Sequence, residues 1–449
     1  MKALKLSITL FFFITFSTNI FSQTWAPLGV GTNGDVQALR LFGGQMITAG
    51  NFSTAGGNIV NRIAGWNGSA WNSLGLGMND NVYALTIFNN QLVAAGRFTT
   101  AGGITATRIA RWDGSAWFSM GDGFNGDVLA LAVQGSILYA GGSFTMSGTT
   151  AVSRIARWSG HDWQPLAAGL NNTVYTLAVH NSQLYAGGAF TMSGSTGILK
   201  AGLWDGTSTW YQLGLGIDDG DVFAMASYGG FLLVGGGFTT IGGTTVNRIA
   251  RWNGTSWSNV GNGLNNTVRC LTVFGSWFYA GGDFTFSGGT PLTRIAKWDG
   301  VSTWSALGNG ISGSSPLVTS LAIAGNFLYV GGRFSLAGAT AVNNIGFWGG
   351  ITGVKPISNE IPNQFSLGQN YPNPFNPNTN IGFRIADFGF VTIKVYNILG
   401  NEIATLVNEN LNAGTYEVDF DGSNLGSGVY YYKLVAGDYT ETKKMILMK

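Results

Sequence analysis

One pattern recurs seven times between Trp25 and Trp348: V-x-A-L, then L-Y-x-G-G-x-F, a glycine-rich loop, and R-I-A-x-W-x-G-x-x-W-x-x-L-G. The first tryptophan stands at Trp66, Trp112, Trp158, Trp204, Trp252, Trp298 and Trp348, and the second at Trp25, Trp71, Trp117, Trp163, Trp210, Trp257 and Trp304. Most steps, such as Trp66 to Trp112 and Trp112 to Trp158, are 46 residues. That period is the length of one four-stranded propeller blade, and it is too long for most leucine-rich or β-helix coils.

Each unit divides into four short strands. In the second they are predicted at Val82–Phe88, Gln91–Phe98, Arg108–Trp112 and Ala116–Met120. Asn89-Asn90 and Asp113-Gly114-Ser115 supply turns that tolerate positive φ, so neighbours pair antiparallel. In the innermost strand of the third unit, the smaller Val128, Ala130 and Ala132 alternate with Leu129, Leu131 and Val133. Small side chains suit a strand crowded round a central channel. The outermost strand comes first, at Thr24–Gly29, while the seventh unit stops after its third strand at Trp348. The ring therefore closes if the N-terminal strand completes the last blade, which removes the open edges that invite aggregation. Fourteen of the fifteen tryptophans lie in this lattice and are expected to pack blade on blade.

The chain has 70 glycines, a formal charge of +2 without a basic block, and one cysteine, Cys270. Those figures exclude an intrachain disulfide and a thiolate cluster, and they argue against nucleic acid as a partner. Lys2 and Lys5 followed by an apolar run from Leu6 to Phe16 read as a signal peptide over residues 1–22, cleaved after Ser22. No later run approaches the ~20 apolar residues of a spanning helix, so a mature chain with no transmembrane segment is expected.

Units such as Leu184–Phe190 and Arg248–Gly254 resemble kelch-type and cortical polarity-marker propeller repeats over residues 24–349. The resemblance implies a fold and leaves the ligand open. A seven-bladed β-propeller over residues 23–350 is therefore expected, followed by a linker at 351–364 and a separate domain at 365–449.

The propeller region has no glutamate; the first is Glu360, and five of the nine prolines lie from Pro356 to Pro377. Beyond them, alternating runs at Ile381–Ile385, Val391–Tyr396, Thr415–Phe420 and Val429–Val435 predict a seven-stranded immunoglobulin-like β-sandwich. Tyr371–Pro377, Val395–Gly400, Ser427–Lys433 and Lys443–Leu447 resemble the C-terminal sorting domain of the type IX secretion system, with Gly400, Gly428, Lys443, Lys444 and Lys449 as motif residues. The resemblance implies passage through the periplasm, interaction with the type IX machinery, and release or anchoring at the cell surface.

Catalytic inventories are short. A glycosidase needs two carboxylates, and only aspartates could serve in the propeller. The Asp218, Asp219 and Asp221 cluster reads as a turn in preference to a hard-cation site. His161 and His180 are expected at exposed turns, and Cys270 as a small buried side chain. Arg62, Arg108, Arg154, Arg248 and Arg294 recur with the blade period, which predicts hydrogen bonds to loop carbonyls. Glycine pairs such as Gly141-Gly142 end strands and precede no helix, so they are not phosphate loops. No catalytic residue, metal or cofactor is assigned. The polar residues before each inner strand, Asp35, Asn81, Asp127, Thr173, Asp221 and Thr267, would ring one channel mouth and are the candidate binding positions. A secreted or surface binding module for carbohydrate or protein is the expected function. The alternative is a polysaccharide-acting enzyme using Asp127 and Asp221.

Overall fold

The computed structural model describes residues 24–349 apart from 276 and 326, residues 354–358, and residues 362–449 apart from 388, 412 and 424. The expected signal peptide lies outside the described residues. Every regular element among those described is a strand.

Residues 24–349 contain seven four-stranded antiparallel sheets among the described residues. Six follow chain order from the innermost strand outward; the first is Val36–Phe42, Gln45–Gly50, Ile63–Trp66 and Trp71–Ser73. The seventh takes Leu317–Ala324, Phe327–Arg333 and Ile345–Gly349 from the end of the array and Trp25–Pro27 from its beginning. There Trp25 faces Trp348, Ala26 faces Phe347 and Pro27 faces Gly346. Each innermost strand packs on the next, and Leu317–Ala324 packs on Val36–Phe42, so the round of sheets is closed in the manner of a propeller.

The repeat residues explain how the sheets hold each other. The two tryptophans of each sheet lie with ring centroids 5.1 to 5.4 Å apart, and Trp25 with Trp348 supplies the seventh pair. Most second tryptophans also donate Nε1 to a carbonyl one sheet back: Trp71 to Leu28 (2.9 Å), Trp117 to Leu74 (2.8 Å), Trp163 to Met120 (3.1 Å) and Trp25 to Leu307 (3.1 Å). A buried bond of this kind is worth about 1 kcal/mol net and costs more when left unmade. Trp210 is the exception, its buried Nε1 having no partner.

The G-G pairs end their strands as expected, as in Ile137–Gly142 and Gln183–Gly188, and the first glycine of each has a further task. A Cβ on Gly187, Gly281 or Gly331 would stand 2.4 Å from Cγ1 of Val222, Val318 or Val36 in the next sheet. Only a residue without a side chain, or the alanines at Ala49 and Ala95 in the first two sheets, permits that approach. The loop between second and third strands also holds an unforeseen hairpin, Thr100–Ala101 with Ile104–Thr105, around Gly102 and Gly103 at φ 59° and 86°. Positive φ at both central positions defines the primed turn that suits a two-residue hairpin.

The C-terminal residues form two four-stranded sheets, one ordered Val354–Ser358, Gly414–Asp421, Asn378–Ile385, Ser366–Leu367 and the other Glu402–Leu411, Gly389–Tyr396, Gly428–Ala436, Tyr439–Leu447. Both feed one core around Ile381, Phe383, Ile393, Val395, Tyr432 and Met445. Among the described residues eight strands therefore stand where seven were expected. The extra one falls in the presumed linker: Val354–Ser358 pairs with Gly414–Asp421, and Val354 is buried in the shared core. Its proline misled the reading, because an edge strand tolerates a missing N–H that a central strand would not.

Candidate functional site

The first residue pair of each inner strand is irregular. In all seven sheets the register shifts between the first valine and the third residue of V-x-A-L, as at Val36/Ala38 and Val222/Ala224. A bulge of this kind bends a strand and re-aims one side chain. The re-aimed position is Gln37, Tyr83, Leu129, Tyr175, Phe223, Arg269 and Thr319, each half-buried. Just before it stand the predicted binding residues Asp35, Asn81, Asp127, Thr173, Asp221 and Thr267, also half-buried.

Their backbone and side chains do separate work. The carbonyls of Asp35, Asn81, Asp127, Thr173, Asp221 and Thr267 accept from Asn51, Arg97, Ser143, Ala189, Gly237 and Asp283 at 2.8 to 2.9 Å, closing the end of each second strand. The three carboxylates are all ion-paired: Asp127 with Arg97 (2.8 Å), Asp35 with Arg333 (3.1 Å) and Asp221 with Lys200 (3.0 Å). In each pair the cation comes from the sheet before, so these bridges cross the seams between second and third, seventh and first, and fourth and fifth sheets. Asn81 Nδ2 reaches the Tyr83 hydroxyl at 3.4 Å, while the N–H groups of Thr173 and Thr267 donate to Oδ1 of Asn172 and Asn266.

Sequence reasoning missed the neighbours of these residues. Tyr175 and Phe223 lie with ring centroids 5.0 Å apart. The Arg269 guanidinium stands 5.7 Å from the Phe223 centroid and is held by Asp283 at 2.8 Å. Burial, and then the negative charge of Asp221, raise the Tyr175 hydroxyl above its usual range. The available signal was the failure of the repeat to repeat: the second letter of V-x-A-L is aromatic in units two, four and five and polar in units one, six and seven.

Four of the five recurrent arginines behave as expected, while the buried Nε of Arg62 has no partner. Arg108, Arg154, Arg248 and Arg294 donate Nη1 to the carbonyls of Arg97, Ser143, Gly237 and Asp283, with φ of 65° to 71°. Lys200 occupies the same place, and its Nζ reaches both Ala189 O at 3.2 Å and Asp221. The aspartate cluster divides among three partners. Asp221 takes Lys200, Asp218 accepts from Gly243 N at 2.7 Å, and Asp219 brackets Thr239 N and Thr240 N at 2.8 and 2.9 Å. Asn33, Asn79, Asn125, Asn171 and Asn265 make the same bracket in other sheets. Burial alone would raise the Asp219 carboxyl, but the Thr239 hydroxyl and the two N–H donors bring it down to about 2.

His161 is exposed, as expected. His180 is not: it is buried, with Nδ1 2.9 Å from Ser227 Oγ and its ring on Tyr185, and burial lowers its basicity. It closes a hairpin that faces the fifth sheet, so the position reads as a turn in sequence while the seam encloses it. Cys270 is half-buried against Val318 and Gly281, and burial pushes its thiol up. Two clefts of about 620 and 670 Å³ open elsewhere, one beside Arg111, Trp158 and His161 and the other beside Asn247, Arg248 and Asn262; neither is lined by the mouth residues.

In the C-terminal sandwich the motif residues bind the last strand in place. Phe375 is buried, its N–H donates to Ile446 O at 2.9 Å, and Asn373 Oδ1 accepts from Ile446 N at 3.0 Å. Gly400 has φ of 79° in the turn after Tyr396, and Gly428 opens the strand paired with the last one. Lys443 pairs with Glu441 at 3.2 Å, the Lys444 carbonyl accepts from Gln369 Nε2 at 2.8 Å, and Lys449 Nζ donates to Ser423 O. Residues 369–448 match the secretion system C-terminal sorting domain. This tail implies interaction with the type IX secretion machinery and places the protein in the extracellular space or at the outer cell surface. No curated protein matches the chain. Among the described residues no helix is long and apolar enough to cross a membrane.

Proposed function

We propose that residues 23–350 form a seven-bladed, kelch-like β-propeller exported behind a signal peptide at 1–22, and that the immunoglobulin-like tail at 365–449 delivers it as a binding module. The observation that carries this reading is the set of contacts beside the bulges, where aromatic rings meet and ion pairs form between neighbouring sheets. These groups would together line one mouth of the channel. Several sheets contributing to one concave place is what a binding site requires. The ion pairs support binding over hydrolysis, since Asp127 and Asp221 are each engaged by a cation of the neighbouring sheet.

The mature protein should bind a partner that is lost on changing mouth residues and kept on changing outer-strand surface residues such as Ser119. Pull-down from culture medium and glycan arrays read this out. Incubation with polysaccharides tests the alternative: release of reducing ends that disappears in Asp127→Asn and Asp221→Asn would replace the binding reading with an enzyme.

A further inference from the structure

We infer that the mouth takes a neutral saccharide, and that it does so on one side only, over the Tyr83, Tyr175 and Phe223 side of the rim; this rests on the binding reading above. Charge is the first constraint on the ligand. Four cations at the rim, Arg97, Lys200, Arg269 and Arg333, are matched by four carboxylates, Asp127, Asp221, Asp283 and Asp35, at 2.8 to 3.1 Å. Asp80, within Coulombic reach of Arg97, adds one further carboxylate, so the rim is close to balance and has no field to collect a polyanion and only a weak one for a polycation. It does offer oriented donors and acceptors: each carboxylate keeps lone pairs beyond its ion pair, and each guanidinium keeps further N–H groups. A ligand suited to it is uncharged, with many hydroxyls that both donate and accept.

Shape supplies the second half. Tyr175 and Phe223 meet at 43° and 5.0 Å, which leaves an angled aromatic step rather than a flat wall. Arg269 over Phe223 and Lys200 beside Asp221 border that step with polar groups. Asn81 fixes the Tyr83 hydroxyl, and Arg97 lies near that ring while bonding Asp127. All three rings are half-buried, so their edges are fixed by packing while part of each stays open. A sugar ring has an apolar C–H face for the aromatic surface and hydroxyls at its edge for the ion pairs, matching both components at once. In the first and seventh sheets the equivalent positions are Gln37 and Thr319, and Thr319 Oγ1 is already spent on the Val36 carbonyl. The repeat therefore supplies seven equivalent positions, and aromatic substitution at three of them makes the binding face asymmetric.

Affinity electrophoresis of the full mature chain in gels containing neutral β-glucan, glucomannan, xylan or starch, anionic alginate or pectate, and cationic chitosan tests this. Retardation is expected in at least one neutral polysaccharide, unchanged between 50 and 500 mM NaCl. Tyr175→Ala with Phe223→Ala should weaken it at least tenfold, while Ser119→Ala leaves it within twofold and Tyr175→Phe retains most of it. An unchanged thermal transition shows that the double variant folds. Retardation confined to alginate, pectate or chitosan and abolished by salt overturns the neutral-saccharide assignment, as does binding insensitive to the double variant or no retardation in any gel. If no gel retards the protein but a protein partner is captured in a Tyr175- and Phe223-dependent way, the ligand class fails while the mouth stands. Loss of both fails both.

Discussion

The two regions of this chain are built on opposite principles. Between residues 24 and 349 every structural task is performed several times by equivalent residues: paired tryptophans, the Asn or Asp bracket, the left-handed Arg or Lys, and the glycine or alanine that lets the next valine approach. In the C-terminal sandwich Asn373, Phe375, Tyr432 and Gly400 each do something once. In a repeated region, a residue that departs from its equivalents is the informative one, because the repeat itself accounts for the rest. That is how Tyr83, Tyr175 and Phe223 stand out. In a region without repetition, every position looks equally particular, and motif matching carries the reading.

The difference can be broken at its largest point by removing residues 24–28. Six sheets own all four of their strands; the seventh borrows one, and with it the Trp25–Trp348 pair and the bond to Leu307. Deletion is expected to abolish the cooperative thermal transition of the propeller or to cause aggregation through the opened edge, measured by calorimetry and light scattering. A retained transition would show that closure contributes little. Phe375→Ala should cost about 3 to 5 kcal/mol in the sandwich and shift only its own urea transition, leaving the propeller's in place. A common shift would make the two regions one cooperative unit.

Equivalence within the repeat can be sharpened with tryptophans 163 and 210. Both are buried, but only Trp163 donates its Nε1, to Met120. Substitution by phenylalanine should cost about 1 kcal/mol more at Trp163 than at Trp210. The smallest effect concerns Asp219, which stands where five other sheets carry asparagine. Its folded carboxyl sits near 2 against an ordinary value of 3.8. The stability it contributes is thus present above about pH 4 and is lost as pH falls toward 2. Because the site is exposed, screening reduces that contribution to less than about 0.5 kcal/mol. Asp219→Asn should leave the transition at pH 7 nearly unchanged and flatten its slope between pH 4 and 2.

How much was legible follows from range. The strands of the second unit emerged within two residues of their observed ends because turn chemistry is local: Asn89 and Asn90 have φ of 48° and 59°, as a primed turn demands. Arg108, Arg154, Arg248 and Arg294 were read correctly as carbonyl donors for the same reason, since each reaches a residue only eleven positions earlier. His180 failed because its enclosure comes from Ser227, in a different sheet. The Val354–Ser358 strand failed because its partner lies about 60 residues later and proline is acceptable at an edge.

By itself, the sequence determined the period, the number of repeated units, the all-β character and the sorting tail, because these depend on composition, spacing and turns within reach of one another. The tertiary structure alone decided which carboxylates face which cations, and at which position of V-x-A-L the bulge falls. Those outcomes depend on where neighbouring sheets meet, and residues thirty to three hundred positions apart, such as Arg97 with Asp127 and Arg333 with Asp35, become partners only once the round of sheets closes.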